Sequence, residues 1–355
     1  MLGPRHYVPI LKCKRGEKRA LQLLAPWVRA MIMPMVEVVE LRPGKTLSEH
    51  LATSFRGLPD ALPRGTSFYL DAGEIGVAAA DAATEAFRRA EDLGLTFVPV
   101  CGPSRPATEN LAAVSRVQLG GVCVRLRRTE LERGALRPAL VTFMAQHGLS
   151  PSSTDLVLDM GAIEAMVVPG ALAVARAFIG AIPDVSTWRN LVLAGCSFPK
   201  SMGVLGANQY TDVERVEWLT WRDYSSAAPE AVPRVPTYGD CAIQHPSGVE
   251  GFDPRVMQVS AAVRYTSGDS WLLIKGRSTR ISPAREQFRA LASVLAPGGQ
   301  LGGRFAGVDH CRGCADIAAC ASGAPNLGSA EAWRRIGTVH HITVVAEQLA
   351  ALPAP

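Results

Sequence analysis

Glu37, Asp71 and Asp159 each stand at the carboxyl end of a short apolar run, in "MIMPMVEVV", "TSFYLDAG" and "TDLVLDMG". Lys12 and Lys14 end the run "YVPILK" and open "CKRGE", Arg125 lies in "GGVCVRLRR", and His245 lies near the end of "YGDCAIQHP". Three carboxylates can hold a hard divalent cation through oxygen ligands, Lys and Arg side chains can clamp a phosphate or carboxylate, and histidine carries protons near neutral pH. The set therefore predicts a site for an anionic, phosphate-containing ligand such as a nucleotide or nucleic acid. Glu37, Asp71, Asp159 and His245 are its expected catalytic groups, Lys12, Lys14 and Arg125 its ligand-binding ones, and a divalent cation its implied cofactor. Two other readings stay open: the opposite charges satisfy one another as an unreactive polar plug, or they mark strands reaching water.

A single site requires elements that bring these residues to one place. Apolar runs recur roughly thirty residues apart, the spacing of βα units: "YVPILK", "MIMPMVEVV", "TSFYLDAG", "LTFVPVCG", "GGVCVRLRR", "TDLVLDMG", "RNLVLAGCSFP" and "YGDCAIQHP". Stretches of helical period such as "AAADAATEAFRRAEDLG" lie between them. Apolar strands alternating with helices imply a parallel sheet covered on its outer face, and eight units close a (β/α)8 barrel of the TIM type. An open doubly wound sheet is the alternative. Closure predicts that Val8 to Leu11 pairs on both sides, one neighbour being the run that ends at His245. Strand carboxyl ends converge on one mouth in such a barrel. Lys12, Lys14, Glu37, Asp71, Cys101, Arg125, Asp159, Ser197 and His245 are thus expected to form a ring.

The rhythm changes near Gln258, which divides the chain into a barrel over residues 1–258 and an α+β extension over 259–355. "SAAVRYTSGDSWLLIKG" reads as two strands about a Ser-Gly-Asp turn, and "SPAREQFRALASVLA" as a helix capped by Ser282. "AEAWRRIGTVHHITVVAEQLAAL" reads as a second helix, weak at Gly337, with Trp333 a core anchor and one of His340 and His341 facing solvent. Lys275 is expected to reach back over the mouth as a further ligand-binding residue. The proline-rich "AAPEAVPRVP" is an extended connection into the last barrel strand.

"DHCRGCADIAAC" sets Cys311, Cys314 and Cys320 behind His310. A Cys-x2-Cys pair commonly opens a zinc or iron-sulfur site, so these four residues are the expected metal ligands. The fourth ligand is either His310, for zinc, or a distant cysteine, for a cluster; packing without metal is the third reading. The spacing resembles the three-cysteine cluster of RecB-like CRISPR-associated nucleases, which implies a four-iron centre.

With 355 residues, 48% of them hydrophobic, the chain can bury a large core, and a net charge of +5 permits an anionic partner without requiring one. No apolar segment of membrane-spanning length and no signal-peptide pattern is found, so a cytoplasmic protein without a membrane partner is expected. The chain lacks a Gly-x-x-x-x-Gly-Lys-Ser/Thr loop, a Gly-x-Gly-x-x-Gly turn after a strand, His-Glu-x-x-His and Gly-x-Ser-x-Gly. "APGGQLGG" follows a helix and reads as its stop.

The stretches "YVPILKCKRGE", "PMVEV", "YLD", "VRLRR", "LDMG", "YGDCAIQHP", "VRYT", "WLLIKG" and "WRRIGTVHHIT" together resemble the beta protein family, named for a protein of T-even phage. Within the resemblance, Lys12, Glu37, Asp71, Arg125, Asp159 and His245 fall on motif positions, as do Arg264, Tyr265, Lys275, Trp333, His340 and His341. The resemblance brings no reaction with it. It implies a setting in mobile-element or anti-phage loci, and hence a protein partner in a defence complex.

Overall fold

The computed structural model describes residues 2–77, 79–228, 232–247, 260–278 and 283–352. Eleven strands are assigned there: β1 Tyr7–Lys12, β2 Met35–Glu37, β3 Phe68–Asp71, β4 Phe97–Cys101, β5 Val122–Arg127, β6 Thr154–Ala162, β7 Asn190–Cys196, β8 Gln209–Glu214, β9 Thr237–Asp240, β10 Ser260–Ser267 and β11 Ser270–Ser278. All but β8, β10 and β11 form a closed barrel in the order β1 to β7 followed by β9. β1 pairs in parallel with β2 on one side and β9 on the other, through Leu11 opposite Val36 and Val8 opposite Gly239. The expected barrel is therefore closed, and the open-sheet alternative falls.

The two-residue period of a strand decides which side chains enter the barrel. Ile10, Met35, Tyr69, Cys123 and Val157 pack in the inner core, whereas Leu11, Val36, Leu70, Val124 and Leu158 pack outward under the helices. Two positions beyond the inward residues stand Lys12, Glu37, Asp71, Arg125 and Asp159. Parity therefore turns all five into the lumen at its carboxyl end. Register then levels three of them, with Lys12 opposite Glu37 and Glu37 opposite Asp71.

The second sheet has the order β10-β11-β8 and is antiparallel. β10 and β11 form the expected hairpin. β8, "QYTDVE", was not expected: it lies between β7 and β9 in the chain, is polar and half-exposed, and carries no apolar alternation to signal a strand. It ties the extension to the barrel's own connection.

The helix Ala284–Leu295 starts after Pro283; Ser282, the expected cap, lies outside the described residues, as do residues 229–231 of the proline-rich connection. The terminal helix Ala330–Ala350 packs on β10, on β1 and on the helix Arg15–Leu23. Gly337 is a point of close approach in it, not a weak point. A Cβ there would lie 2.7 Å from Ile243 Cδ1 and 2.8 Å from the Arg264 carbonyl oxygen. His340 and His341 are both fully buried, so neither faces solvent as expected, while Trp333 is a core anchor stacked on Phe288. Among the described residues no helix is long and apolar enough to cross a membrane.

Candidate functional site at the barrel mouth

Over the β1 to β6 sector the mouth is closed by ion pairs. The Arg125 guanidinium stands at the centre, its Nη1 2.7 Å from Glu37 Oε1 and 2.7 Å from Asp71 Oδ2, its Nη2 2.7 Å from Asp159 Oδ2. Lys12 Nζ lies 2.8 Å from Glu37 Oε2 and also pairs with Glu74. Arg105 grips Asp71 with two bonds of 2.7 and 2.8 Å and pairs with Glu109 one turn away. The Gly73 N–H donates to Asp71 Oδ1 and the Gly161 N–H to Asp159 Oδ1, each at 2.8 Å.

Three cations thus meet five carboxylates in a buried layer. Burial alone would raise the Glu37 carboxyl, but Lys12 and Arg125 overcome it and hold the group at about 2. Asp71 is likewise held well below the usual carboxylate range, burial being outweighed by Arg105 and Arg125. Burial and the neighbouring Glu37 instead push Glu74 up, against the pull of Lys12. The expected divalent cation between Glu37, Asp71 and Asp159 meets a guanidinium already bonded to all three. Lys12 and Arg125, expected to clamp ligand, spend their charge inside the plug.

The mouth opens over the adjacent sector, β7-β9-β1. There a cavity of about 300 Å³ lies between the strand ends and the extension. Lys14 enters it from β1, Phe198 and Lys200 from β7, Gln244 and His245 from β9, Arg264 from β10, and Trp333 and Arg334 from the terminal helix. Arg264 donates to the Ile243 carbonyl at 3.0 Å and lies 5.1 Å from the centroid of the Phe198 ring, and among the described residues it forms no ion pair. Burial, then repulsion from Arg334, lowers Arg264 to about 10 and lowers Lys14 in the same direction. Glu17 lies nearby; it accepts from the Gln244 amide and lies 3.4 Å from Arg334.

His245, expected to carry protons, lines this cavity instead of joining the plug. Its Nδ1 accepts from the Ser247 N–H at 3.2 Å, which leaves Nε2–H to face Glu164 Oε1 at 3.2 Å. Lys275 does not reach the mouth; its Nζ donates to the Leu205 carbonyl at 2.6 Å. Cys101 packs outward in the core. The sequence reading missed Arg105, Glu109 and Glu74 because it took only the last strand residue, and β4 ends on a cysteine; the Arg105–Glu109 pair sits one loop further on. It missed Lys200 for the same reason.

The model of the family described as "Beta protein" matches residues 7–347. The chain belongs to the Beta protein family. The match takes in the plug, the cavity and the extension of this family member alike. A search of the curated proteins found no match. Among solved structures, the triosephosphate isomerase of Bartonella henselae matches with a TM-score of 0.33 and 12% identity, over 66% of this chain and 92% of that one.

Two further clusters of this family member lie near the mouth. Asp240, at the end of β9, receives hydrogen bonds from Tyr7 Oη, Tyr238 Oη at 2.8 Å, His341 Nε2 at 2.9 Å and the Ala242 N–H at 2.8 Å. The Asp240 carboxylate requires a proton on His341 Nε2, and Thr266 Oγ1 lies 2.8 Å from the ring's Nδ1. Beside this hub, Glu217 Oε2 lies 2.6 Å from Ser197 Oγ and 3.0 Å from the Ser197 N–H. Burial, then Asp240, raises Glu217 to about 7. A carboxyl raised on folding binds its proton more tightly in the folded state, so stability rises as pH falls from about 7 towards the unfolded value of about 4.3. Glu217→Gln is therefore expected to stabilise the protein at pH 8 by about 1–3 kcal/mol and to change little at pH 5; urea midpoints at the two pH values check this.

Of the expected metal ligands, His310, Cys311 and Cys314 come together, but Cys320 does not. Cys320 packs with Ile317, Phe288 and Trp333 in the core of the extension. His340 takes its place: the ligand atoms of His310, Cys311, Cys314 and His340 all lie within 4.8 Å of one another. The signal for it was the paired histidine of "TVHHIT", which the helical pattern assigned to packing.

Proposed function

We propose that this barrel recognises an anionic, phosphate-bearing ligand, a nucleotide, in the cleft between the β7-β9-β1 sector and the extension. The observation that carries the reading is the charge of that cleft: Lys14, Arg264 and Arg334 converge there, with Glu17 3.4 Å from Arg334. Guanidinium groups suit phosphate oxygens, and the volume is at the lower end of those of small-molecule sites. Recognition is favoured over turnover because the carboxylates of the plug are already paired and both ring nitrogens of His245 are engaged.

Titration with nucleoside mono-, di- and triphosphates, followed by calorimetry and tryptophan fluorescence, tests the reading. Saturable binding is expected, weakened about tenfold or more in Arg334→Met and Arg264→Met, since a hydrogen bond to a charged group contributes about 1.5–3 kcal/mol. Arg88→Ala, at the exposed Glu85 and Asp92 pairs, should bind as wild type. Equal affinity in all of these proteins, or binding of single-stranded oligonucleotides alone, would sink it.

A further inference from the structure

The loop before the helix Arg312–Ala321 and the middle of the terminal helix meet at four metal-ligating side chains. Cys314 Sγ lies 3.3 Å from His340 Nδ1 and 3.8 Å from His310 Nδ1, and Cys311 Sγ lies 3.8 Å from His340 Nδ1. A tetrahedral zinc with Zn–S of about 2.3 Å and Zn–N of about 2.0–2.1 Å sets its ligand atoms about 3.3–3.8 Å apart. The three sulfur–nitrogen distances lie within about 0.3 Å of the sulfur–nitrogen edge of such a tetrahedron, about 3.6 Å.

The orientation of both imidazoles is fixed from behind. His310 Nε2 bonds Glu347 Oε2 at 2.8 Å, and His340 Nε2 bonds the Thr266 carbonyl at 2.8 Å. A carbonyl and a carboxylate both require the proton on Nε2, which leaves the Nδ1 lone pair of each ring turned towards the thiols. Zinc-bound histidines are held by outer partners of this kind. Cys311 caps its helix and accepts the Cys314 N–H at 3.4 Å, so the Cys-x2-Cys turn brings both sulfurs to one side.

We infer that His310, Cys311, Cys314 and His340 form a structural zinc site. Binding releases the two thiol protons, and the two thiolates neutralise the ion while the imidazoles stay neutral, so the buried centre carries no net charge. Four protein ligands fill the tetrahedron and leave no position for substrate. Two sulfurs and two nitrogens about one point suit a single ion and not a four-iron cluster, which is held by cysteine thiolates. The ion joins the loop at residues 310–314 to the terminal helix, and through Thr266 to β10. Those two elements carry Arg334, Trp333 and Arg264 of the cleft.

Elemental analysis of the purified full chain, with thiol-reagent release of metal into a chromogenic chelator, tests this. One zinc per chain is expected in wild type and in Cys320→Ser, and loss to background in Cys314→Ser and His340→Ala. Should those two variants not fold, cobalt substitution of the wild type decides: tetrahedral cobalt-thiolate absorption supports the site, and its absence overturns it. Iron with visible absorption in the protein as isolated, wild type free of zinc, or equal loss of zinc in Cys320→Ser would also overturn it.

Discussion

Arg125→Met is expected to lower the stability of the fold by about 3–5 kcal/mol at pH 7, the usual cost of removing one partner from a buried ion pair. The cost arises from what is left behind: Glu37, Asp71 and Asp159 lose a cation bonded to all three, in a buried layer. The wild type and the variant should differ in their response to acid. Glu37 and Asp71 are depressed on folding, so their contribution is present above the unfolded carboxylate range of about 4 and is lost at lower pH, for Glu37 as pH falls through about 2. The variant lacks most of that contribution and can relieve its repulsion by taking up a proton, so its deficit should shrink by pH 4. Urea denaturation at pH 7 and pH 4 measures both; an unchanged midpoint at pH 7 would mean that the plug adds nothing to stability.

Asp240→Ala should cost about as much, for a different reason. Four donors from β1, β9, the turn after β9 and the terminal helix converge on one carboxylate, and each buried donor left without a partner costs about 1–3 kcal/mol. A loss of at least about 4 kcal/mol is expected on that basis, less in Asp240→Asn, whose amide oxygen still accepts. Because His341 is the donor from the terminal helix, hydrogen exchange should rise first over Ala330–Ala350 in the variant. Uniform exchange behaviour across barrel and extension would show that the hub does not hold that helix.

The barrel was legible because period and parity are properties of single strands. Counting two residues on from Ile10, Met35, Tyr69, Cys123 and Val157 lands on five ionisable side chains, and this can be done without coordinates. What those charges do was not legible, because the plug is completed by Arg105, Glu109 and Glu74, which follow the strands in loops and short helices whose course no period describes. β8 was missed because an edge strand half in water needs no apolar face. The substitution of His340 for Cys320 depends on how two segments cross, and that is set by the packing of the extension. Cys320 stands two turns along the helix, where its thiol serves the core.

The route by which the Asp240 hub forms bears on how the chain folds. Tyr7 and Asp240 are separated by 233 residues, His341 and Asp240 by 101. The plug joins only residues between Lys12 and Asp159, so it can assemble as successive neighbouring strands add to the sheet. The hub can form only when the first strand meets the last. Such non-local closure meets an entropic cost before any contact rewards it, so ring closure is expected to follow the pairing of neighbouring strands. Until then β1 and β7 present unpaired edges, so the vulnerable species is a part-built arc with its charge network already in place.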